Sequence, residues 1–215
     1  MKGRRINGRA VSTFGIVLLF CACALLFYNI WDTDRAGRSI EEAAQLLQEY
    51  RENTEEDPYL SGNMDGISGE TDEETEDTDR PMPEVVIDGI AYIGNLQVPS
   101  LGLDLPVITG WNYDMLRVAP CRYTGSVYKN DMVLAAHNYQ RHFGMLQSLE
   151  KGAEIRFTDM DGNEFRYTVE ANEVIEPTGV EKMVSNSYDL TLFTCVPSGM
   201  ARYTIRCRRI QEADE

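Results

Sequence analysis

An uninterrupted apolar run near the N-terminus constrains this chain more than any other feature of its sequence. The 21 residues from Ala10 to Ile30 carry no charge, and a helix of that length can cross the hydrocarbon core of a bilayer. Four basic residues precede the run, which predicts that this end stays in the cytoplasm and that everything after Trp31 lies outside. A cleaved signal peptide is the alternative, but apolar residues continue through Phe27, beyond any plausible small-residue cleavage site. We therefore expect a single-pass membrane protein in which residues 1–31 form a basic tail and an anchor.

The residues after the apolar run divide into a short helix and an acidic segment. Ser39-Ile-Glu-Glu42 has the spacing of a helix capping box, and the apolar residues behind it predict a juxtamembrane helix within residues 32–52. Residues 52–84 hold thirteen acidic side chains and one basic side chain. Such a segment cannot bury enough apolar surface to offset its ordering entropy, so we predict a disordered acidic linker over residues 53–84. Whether the short helix packs on the following domain or extends the stalk stays open.

Charge and cysteine usage exclude several classes of protein. Residues 85–215 hold seventeen acidic and twelve basic side chains, so no extended basic surface is left for nucleic acid. The chain has five cysteines and two histidines at irregular spacing, without a C-x-x-C pair, which argues against a structural zinc site. No metal or cofactor is predicted. Cys121 and Cys207 are either a disulfide or, as we prefer, two small buried apolar residues.

From Val85 onward the sequence consists of short β-rich runs separated by turn residues, a pattern that is typical of a barrel or a sandwich. Asp161-Gly162 is a strong hairpin signal, and residues Tyr113–Leu116 and Phe143–Leu149 are expected to form short helical turns. The fold class is therefore mainly β, a closed barrel of seven or eight strands with short helices over residues 85–215. The predicted strands are Ala91–Val98, Pro106–Thr109, Met132–Ala136, Glu154–Thr158, Glu164–Val174, Asp189–Cys195 and Ala201–Arg208.

The strand Asp189–Cys195 ends in a cysteine at the edge of a turn. Its alternation places Leu190, Leu192 and Thr194 on one face and Thr191, Phe193 and Cys195 on the other. The turn Val196-Pro-Ser-Gly199 follows, so a rigid element delivers the thiol beside a loop that can open a cleft.

The sequence Thr191-Leu-Phe-Thr-Cys195, followed seven residues later by Arg202, resembles the active-site signature of the sortases, the cysteine transpeptidases of Gram-positive cell surfaces. The resemblance extends to Val133-Leu-Ala-Ala-His137, 58 residues before the cysteine, and covers about Ile90 to Ile210. It implies an eight-stranded barrel in which Cys195 is the nucleophile, His137 the proton donor and acceptor, and Arg202 the group that binds the oxyanion or the substrate backbone. The residues expected to contact substrate are Ala136, Leu192 and Thr194.

Each of these roles has a competitor in the sequence. His142 is the only other histidine, but it falls in a turn without a preceding strand to position it. Arg206 lies on the same strand face as Arg202, four residues farther on, and Arg208-Arg209 form a surface pair. Asn138 could orient the imidazole, but its neighbouring position in an extended segment points it the opposite way. We therefore expect His137 and Arg202 to accompany Cys195.

By resemblance, the substrate is a surface protein with an LPxTG-like sorting signal, which is joined to an amine of a peptidoglycan precursor or a pilin lysine. Some members of the family use calcium, but no acidic cluster in the domain demonstrates such a site, so the calcium dependence stays open. Two departures from the family leave the substrate preference and the subclass undecided. The loop Val196–Ala201 has only six residues, and the position where many relatives carry a second histidine reads Cys121-Arg-Tyr-Thr-Gly-Ser126. The alternative functions are a cysteine peptidase that hydrolyses the thioester and a membrane-anchored binding module without catalysis.

Overall fold

One unbroken helix forms the N-terminal part of the protein. The computed structural model describes residues 8–56, 80–184 and 187–211, and α1 runs from Gly8 to Glu56. Its segment Val11–Trp31 is long and apolar enough to cross a membrane, with a mean hydropathy of 2.3 and no part buried against the rest of the protein. A helix of 49 residues spans about 75 Å, so the apolar segment and the juxtamembrane segment share one axis.

The predicted capping box at Ser39 is wrong, because Ser39 lies inside α1 rather than at the start of a helix. Its hydroxyl donates to the carbonyl of Arg35, one turn earlier, at 3.4 Å. The helix continues through this region with an ion pair between Arg38 and Asp34 at 3.4 Å and with the Arg35 guanidinium 5.9 Å from the Trp31 ring centre. Neighbouring turns therefore support each other where the sequence suggested a break.

The second half of α1 packs on the barrel, which answers a question that the sequence left open. Ile40, Ala43 and Leu47 are buried and follow the i, i+3, i+7 spacing of one helix face. Glu41 on the same helix forms an ion pair with Arg141. Gly37 explains how the two surfaces approach, because a Cβ atom there would lie 2.3 Å from Cδ of Arg141.

Nine strands form a single sheet that closes into a barrel. Eight of them form the ring, in the order β2-β3-β4-β5-β8-β9-β7-β6, and β6 pairs again with β2. The ninth, β1, pairs only with the first residues of β2. The strands are β1 (Val85–Ile87), β2 (Ile90–Val98), β3 (Leu103–Ile108), β4 (Cys121–Thr124), β5 (Met132–Ala135), β6 (Glu154–Asp159), β7 (Glu164–Ile175), β8 (Leu190–Cys195) and β9 (Arg202–Arg209). A short helix, α2 (Val180–Met183), precedes β8.

The closed eight-stranded barrel confirms the predicted fold class. All seven predicted strands are present with boundaries shifted by a few residues, and the Asp161-Gly162 hairpin joins β6 to β7. Two strands were not predicted, β1 and β4, because three or four residues are too few to show an alternating pattern. The first predicted helical turn overlaps a 3₁₀ segment at Met115–Arg117, and the second contains one at Leu146–Ser148.

Two apolar clusters lie on opposite sides of the barrel wall. The inner cluster fills the barrel and includes Ile93, Leu134, Leu192 and Ile205. The outer cluster lies beneath α1 and the loops beside β8, and its members include Ala43, Leu47, Ile108, Ala135, Met183 and Phe193. Both faces of β8 are covered, so Leu190 to Thr194 are all buried, including the two threonines.

The last residues of the predicted linker belong to the barrel. Met82 is buried in the inner cluster, and the Arg80 guanidinium lies 4.1 Å from the ring centre of Tyr128. Glu84 accepts a hydrogen bond from Thr109 and lies 3.8 Å from the Arg122 guanidinium. The remaining part of that linker, residues 57–79, lies outside the described residues.

Candidate active site

Two neighbouring parallel strands bring Cys195 and His137 to the same end of the barrel. β5 and β8 pair in register from Met132↔Leu190 to Ala135↔Phe193. The amide of Ala136 then donates to the carbonyl of Phe193 at 3.2 Å, and the hydroxyl of Thr194 donates to the carbonyl of Ala136 at 2.8 Å. The next residues along β5 and β8 are His137 and Cys195, so the strand register places them side by side.

Arg202 faces Cys195 across the adjoining antiparallel pair. The two residues are direct partners in the β8–β9 ladder. Their connecting loop is closed by the amide of Val196, which donates to the carbonyl of Ala201 at 3.0 Å. The Arg202 guanidinium donates to the carbonyls of Gly199 and Ala201 at 3.3 and 3.2 Å. The six-residue loop is therefore tight, and the arginine is half-buried beside the thiol.

One cavity of about 310 Å³ contains all three predicted catalytic residues. Cys195, His137 and Arg202 line it, together with Ala135, Ala136 and Thr194 from the ends of β5 and β8. The β7–β8 connection contributes Pro177, Val180 and Met183, and the β3–β4 connection contributes Trp111, Tyr113 and Leu116. The thiol, the imidazole and the guanidinium thus share one largely apolar pocket that opens at the barrel rim.

An aromatic wall on this cavity was not predicted from the sequence. Trp111 stacks on Tyr123 with ring centres 5.2 Å apart, and Tyr123 meets Phe193 edge-to-face at 5.4 Å. Phe193 could have been found, because it lies two residues before Cys195 and shares its strand face. Trp111 and Tyr123 carry no such signal, since only the barrel register brings β4 and the β3–β4 connection beside β8.

Of the three residues predicted to contact substrate, two line the cavity and one does not. Ala136 and Thr194 line it, but Leu192 is fully buried in the inner cluster. The structure contradicts the prediction for Leu192: this residue lies on the same strand face as Thr194 but two residues farther into the barrel, whereas Thr194 stands near the strand end. Phe193, on the other face of β8, lines the cavity together with Thr194.

The competing arginine, Arg206, serves the structure instead. Only 2% of it is exposed. Its guanidinium donates to the carbonyl of Met183 and the hydroxyl of Thr191 at 3.1 and 3.0 Å, to the carbonyl of Lys182, and to Glu173 at 3.1 Å. It therefore caps the C-terminal end of α2 and ties that helix to β8, whereas Arg202 faces the cavity.

The competing side chains around His137 are also separated from the cavity. His142 is fully buried against Tyr139, with ring centres 5.3 Å apart, and it does not line the cavity. Asn138 is exposed and lies outside the cavity lining as well. The His137 ring contacts Tyr139 at 5.2 Å between ring centres.

The other two cysteines of the barrel are chemically distinct from Cys195. Burial raises the pKa of the Cys121 thiol to about 12, and burial also raises the pKa of the Cys207 thiol. Both belong to apolar clusters, Cys121 to the outer one and Cys207 to the inner one, and all five cysteines are free thiols. Because a thiolate is the nucleophilic form, the half-buried Cys195 is the barrel cysteine placed to react. Among residues 8–56, 80–184 and 187–211, no group of three or more His, Cys, Asp or Glu side chains could hold a metal ion.

The fold and the cavity together define a barrel with a cysteine, a histidine and an arginine at one rim. The family model of the sortase domain matches residues 96–210, more than half of the chain. The chain therefore belongs to the sortase family, whose members are cysteine transpeptidases.

Individual relatives agree with this assignment. The chain is 25% identical to sortase A of Bacillus anthracis over 198 residues, which cover 87% of this chain and 88% of the relative. It is 26% identical to sortase D of Bacillus subtilis (strain 168) over 127 residues, and that match spans 54% of this chain and 63% of the relative.

Solved structures show the same fold. Sortase C of Streptococcus pneumoniae superposes with a TM-score of 0.51 at 23% identity over 56% of this chain and 67% of its own. Sortase C1 of GBS pilus island 1 superposes with a TM-score of 0.50 at 24% identity, over 58% of this chain and 66% of its own. The aligned region thus spans slightly less than two thirds of that protein.

Proposed function

We propose that this protein is a membrane-anchored transpeptidase that cleaves an LPxTG-like sorting signal and transfers the acyl group to an amine. The observation that carries the proposal is the single cavity that Cys195, His137 and Arg202 line together. Family membership supports the reaction class. The apolar walls on both sides of the thiol suit an extended peptide that carries apolar side chains.

In the proposed chemistry, Cys195 attacks in the first half of the reaction and leaves in the second, and His137 gives a proton in the first half and takes one in the second. The thiolate of Cys195 attacks the carbonyl carbon of the scissile peptide bond, and Arg202 stabilises the charge that develops on the oxygen or holds the neighbouring backbone. His137 then gives a proton to the leaving amine as the C–N bond breaks. The acyl group stays on Cys195 as a thioester. The incoming amine attacks the thioester, His137 takes its proton, and the thiolate of Cys195 leaves.

The partners follow from the same proposal. The donor is a surface-protein sorting signal, and the acceptor is an amine of a peptidoglycan precursor or a pilin lysine. The segment Val11–Trp31 would hold the enzyme in the cell membrane, with the N-terminus in the cytoplasm and the barrel outside. Four basic residues before the segment support that orientation.

The test uses the purified full-length chain in detergent micelles with fluorescent sorting-signal peptides. An amine-bearing acceptor peptide is present or absent, and mass spectrometry identifies the products. We expect a ligated product when the amine is present, and a Cys195→Ala variant without either activity. If only the hydrolysed product forms at every amine concentration, the protein is a cysteine peptidase instead.

A matched control removes a thiol that lies away from the cavity. Cys23 is exposed in the apolar segment, so Cys23→Ala should keep full activity. Activity that survives Cys195→Ala would refute the assignment of the nucleophile. If a thiol-directed electrophile fails to label Cys195 in the folded chain, the binding module without catalysis becomes the better description.

A further inference from the structure

The unbroken helix α1 sets the height of the barrel above the apolar segment. Trp31 ends that segment, and the buried helix face begins at Gly37, only six residues later. Six helical residues advance about 9 Å. Since no turn or linker intervenes within α1, the barrel cannot move far from the level at which the apolar segment ends.

The barrel surface reaches back toward this level along one flank of α1. A cavity of about 400 Å³ lies between the helix and the barrel, and Tyr28, Arg35 and Ser39 line its helical side. Asp114, Arg117, Val118 and Tyr139 line its barrel side. Tyr28 itself belongs to the apolar segment. Tyr28 and Ser39 are roughly 16 Å apart along the helix axis, and the headgroup layer adds about 5–8 Å to each side of the bilayer core.

One segment of the barrel lines both this cavity and the active-site cavity. We call residues 111–118 the rim segment. Trp111, Tyr113 and Leu116 of this segment line the cavity that contains Cys195, whereas Asp114, Arg117 and Val118 line the cavity beside α1. Tyr139, on the α1 side, contacts the His137 ring. The same piece of chain therefore separates the catalytic cavity from the level of the apolar segment.

The exposed side chains of the rim segment suit a lipid interface. Tyr113 is 74% exposed and Trp111 is 43% exposed, and tyrosine and tryptophan are the residues that favour the headgroup level. The two ring centres lie 6.0 Å apart. The charges of the segment, Asp114 and Arg117, pair with each other at 3.7 Å, so its contact with lipid should depend little on lipid charge.

We propose that the rim segment contacts the outer lipid headgroup layer and thereby holds the catalytic cavity at the membrane surface. The inference rests on the membrane anchor of the proposed function. It adds a second contact with lipid that involves the barrel itself. The substrate would then be a peptide presented at the lipid surface, close to its own membrane attachment.

The test exploits the fact that Trp31 and Trp111 are the only two tryptophans. The full-length chain is reconstituted in phosphatidylcholine vesicles with and without a phosphatidylcholine that carries a nitroxide on its headgroup. Each variant keeps a single tryptophan. Trp111→Phe leaves Trp31 as the standard for the interface, and Trp31→Phe with Trp111→Phe and Tyr113→Trp places the reporter on the rim segment.

A matched control moves the reporter to the opposite end of the barrel. Lys129 is exposed in the turn before β5, whereas His137 follows that strand, so the four residues of β5 place roughly 13 Å or more of strand between the two. In the background without the native tryptophans, Lys129→Trp should therefore show little quenching. Acrylamide quenching and thermal melting verify that each reporter is accessible and that each variant is folded.

We expect the quenching constant of the reporter at position 113 to lie within about twofold of that of Trp31, in vesicles of zwitterionic lipid alone. If Trp31 is quenched and the reporters at positions 113 and 129 are equally weak, the inference is wrong while the anchor stands. If Trp31 is not quenched and the chain does not float with the vesicles, the anchor of the proposed function is wrong and this inference is wrong with it.

Discussion

Replacing Arg206 with methionine should destabilise the barrel strongly, whereas the same change at Arg202 should not. The two arginines lie four residues apart on one face of β9, yet they contact different surroundings. Arg206 is 2% exposed and binds the carbonyls of Lys182 and Met183 and the hydroxyl of Thr191. Arg202 is half-buried and, within the part of the chain that the structure describes, donates to carbonyls of its own loop.

The expected magnitude follows from the groups that lose a donor. Methionine fills a similar volume but donates no hydrogen bond, so two carbonyls at the end of α2 and one buried hydroxyl lose their partner. A polar group left unsatisfied in the interior costs about 1–3 kcal/mol. The ion pair with Glu173 adds little, because that carboxylate side chain is 42% exposed. With each of the three groups near the lower end of that range, since the Lys182 contact is only partly buried, the sum is about 3–4 kcal/mol, which lowers the melting temperature of a domain of this size by about 10–20 °C.

Thermal and urea denaturation of the full-length chain measure this difference. For Arg202→Met we expect a change below about 0.5 kcal/mol in the free energy of unfolding, together with loss of transpeptidation. Arg206→Met should show the large destabilisation and, at a temperature where it is folded, should raise KM more than it lowers kcat. The reason is that α2 carries Val180 and Met183 of the cavity wall. The reasoning fails if Arg206→Met costs less than about 1 kcal/mol, or if both variants are destabilised equally.

Three further predictions concern the thiols, the aromatic wall and the backbone. Cys121 has a pKa of about 12, so fewer than about one of its thiols in 1,000 is ionised at pH 9. Iodoacetamide should therefore label Cys195 in the folded chain and Cys121 only after unfolding, and peptide mass mapping can verify this. Trp111→Ala should lower kcat/KM roughly 3–10-fold with little change in melting temperature, because an aromatic contact is worth about 0.5–1.5 kcal/mol; unchanged kinetics would remove this wall from substrate binding. Gly125→Ala should cost more than about 2 kcal/mol, since φ is +76° and a Cβ atom would lie 2.2 Å from the carbonyl oxygen of Asp131. Gly89→Ala is its control for urea denaturation, with φ +80° but open space around the Cβ position.

Local patterns were sufficient for the elements that are long or strongly periodic. The apolar run predicted a helix in the correct place, and the alternating runs predicted seven of the nine strands. The resemblance of the motif around Cys195 to the sortase signature, with His137 at the end of an earlier strand, predicted which thiol and imidazole share a cavity. The helix and the strands needed only neighbours in sequence, whereas the pairing of Cys195 with His137 needed the family resemblance.

The predictions failed where the outcome depended on the exact position of a residue in its strand, or on packing against an element that is distant in sequence. Leu192 and Thr194 share one face of β8, but only Thr194, near the strand end, reaches the cavity, while Leu192 is buried inside the barrel. Ser39 matched a capping box, yet α1 continues through this residue. The reason is that packing Ile40, Ala43 and Leu47 on the barrel contributes more free energy than the cap of a new helix would.

By itself, the sequence determined that this chain has an apolar helix followed by a barrel with a cysteine at a strand end, because periodicity and turn chemistry are local properties. Only the tertiary structure decided which arginine faces that cysteine, which aromatic rings form the wall and how close the cavity lies to the apolar segment. Those outcomes depend on strand register, barrel closure and helix docking. Each of these outcomes selects one pairing among residues that are remote in sequence. The free energy of that pairing comes from contacts between surfaces that form only when the chain folds.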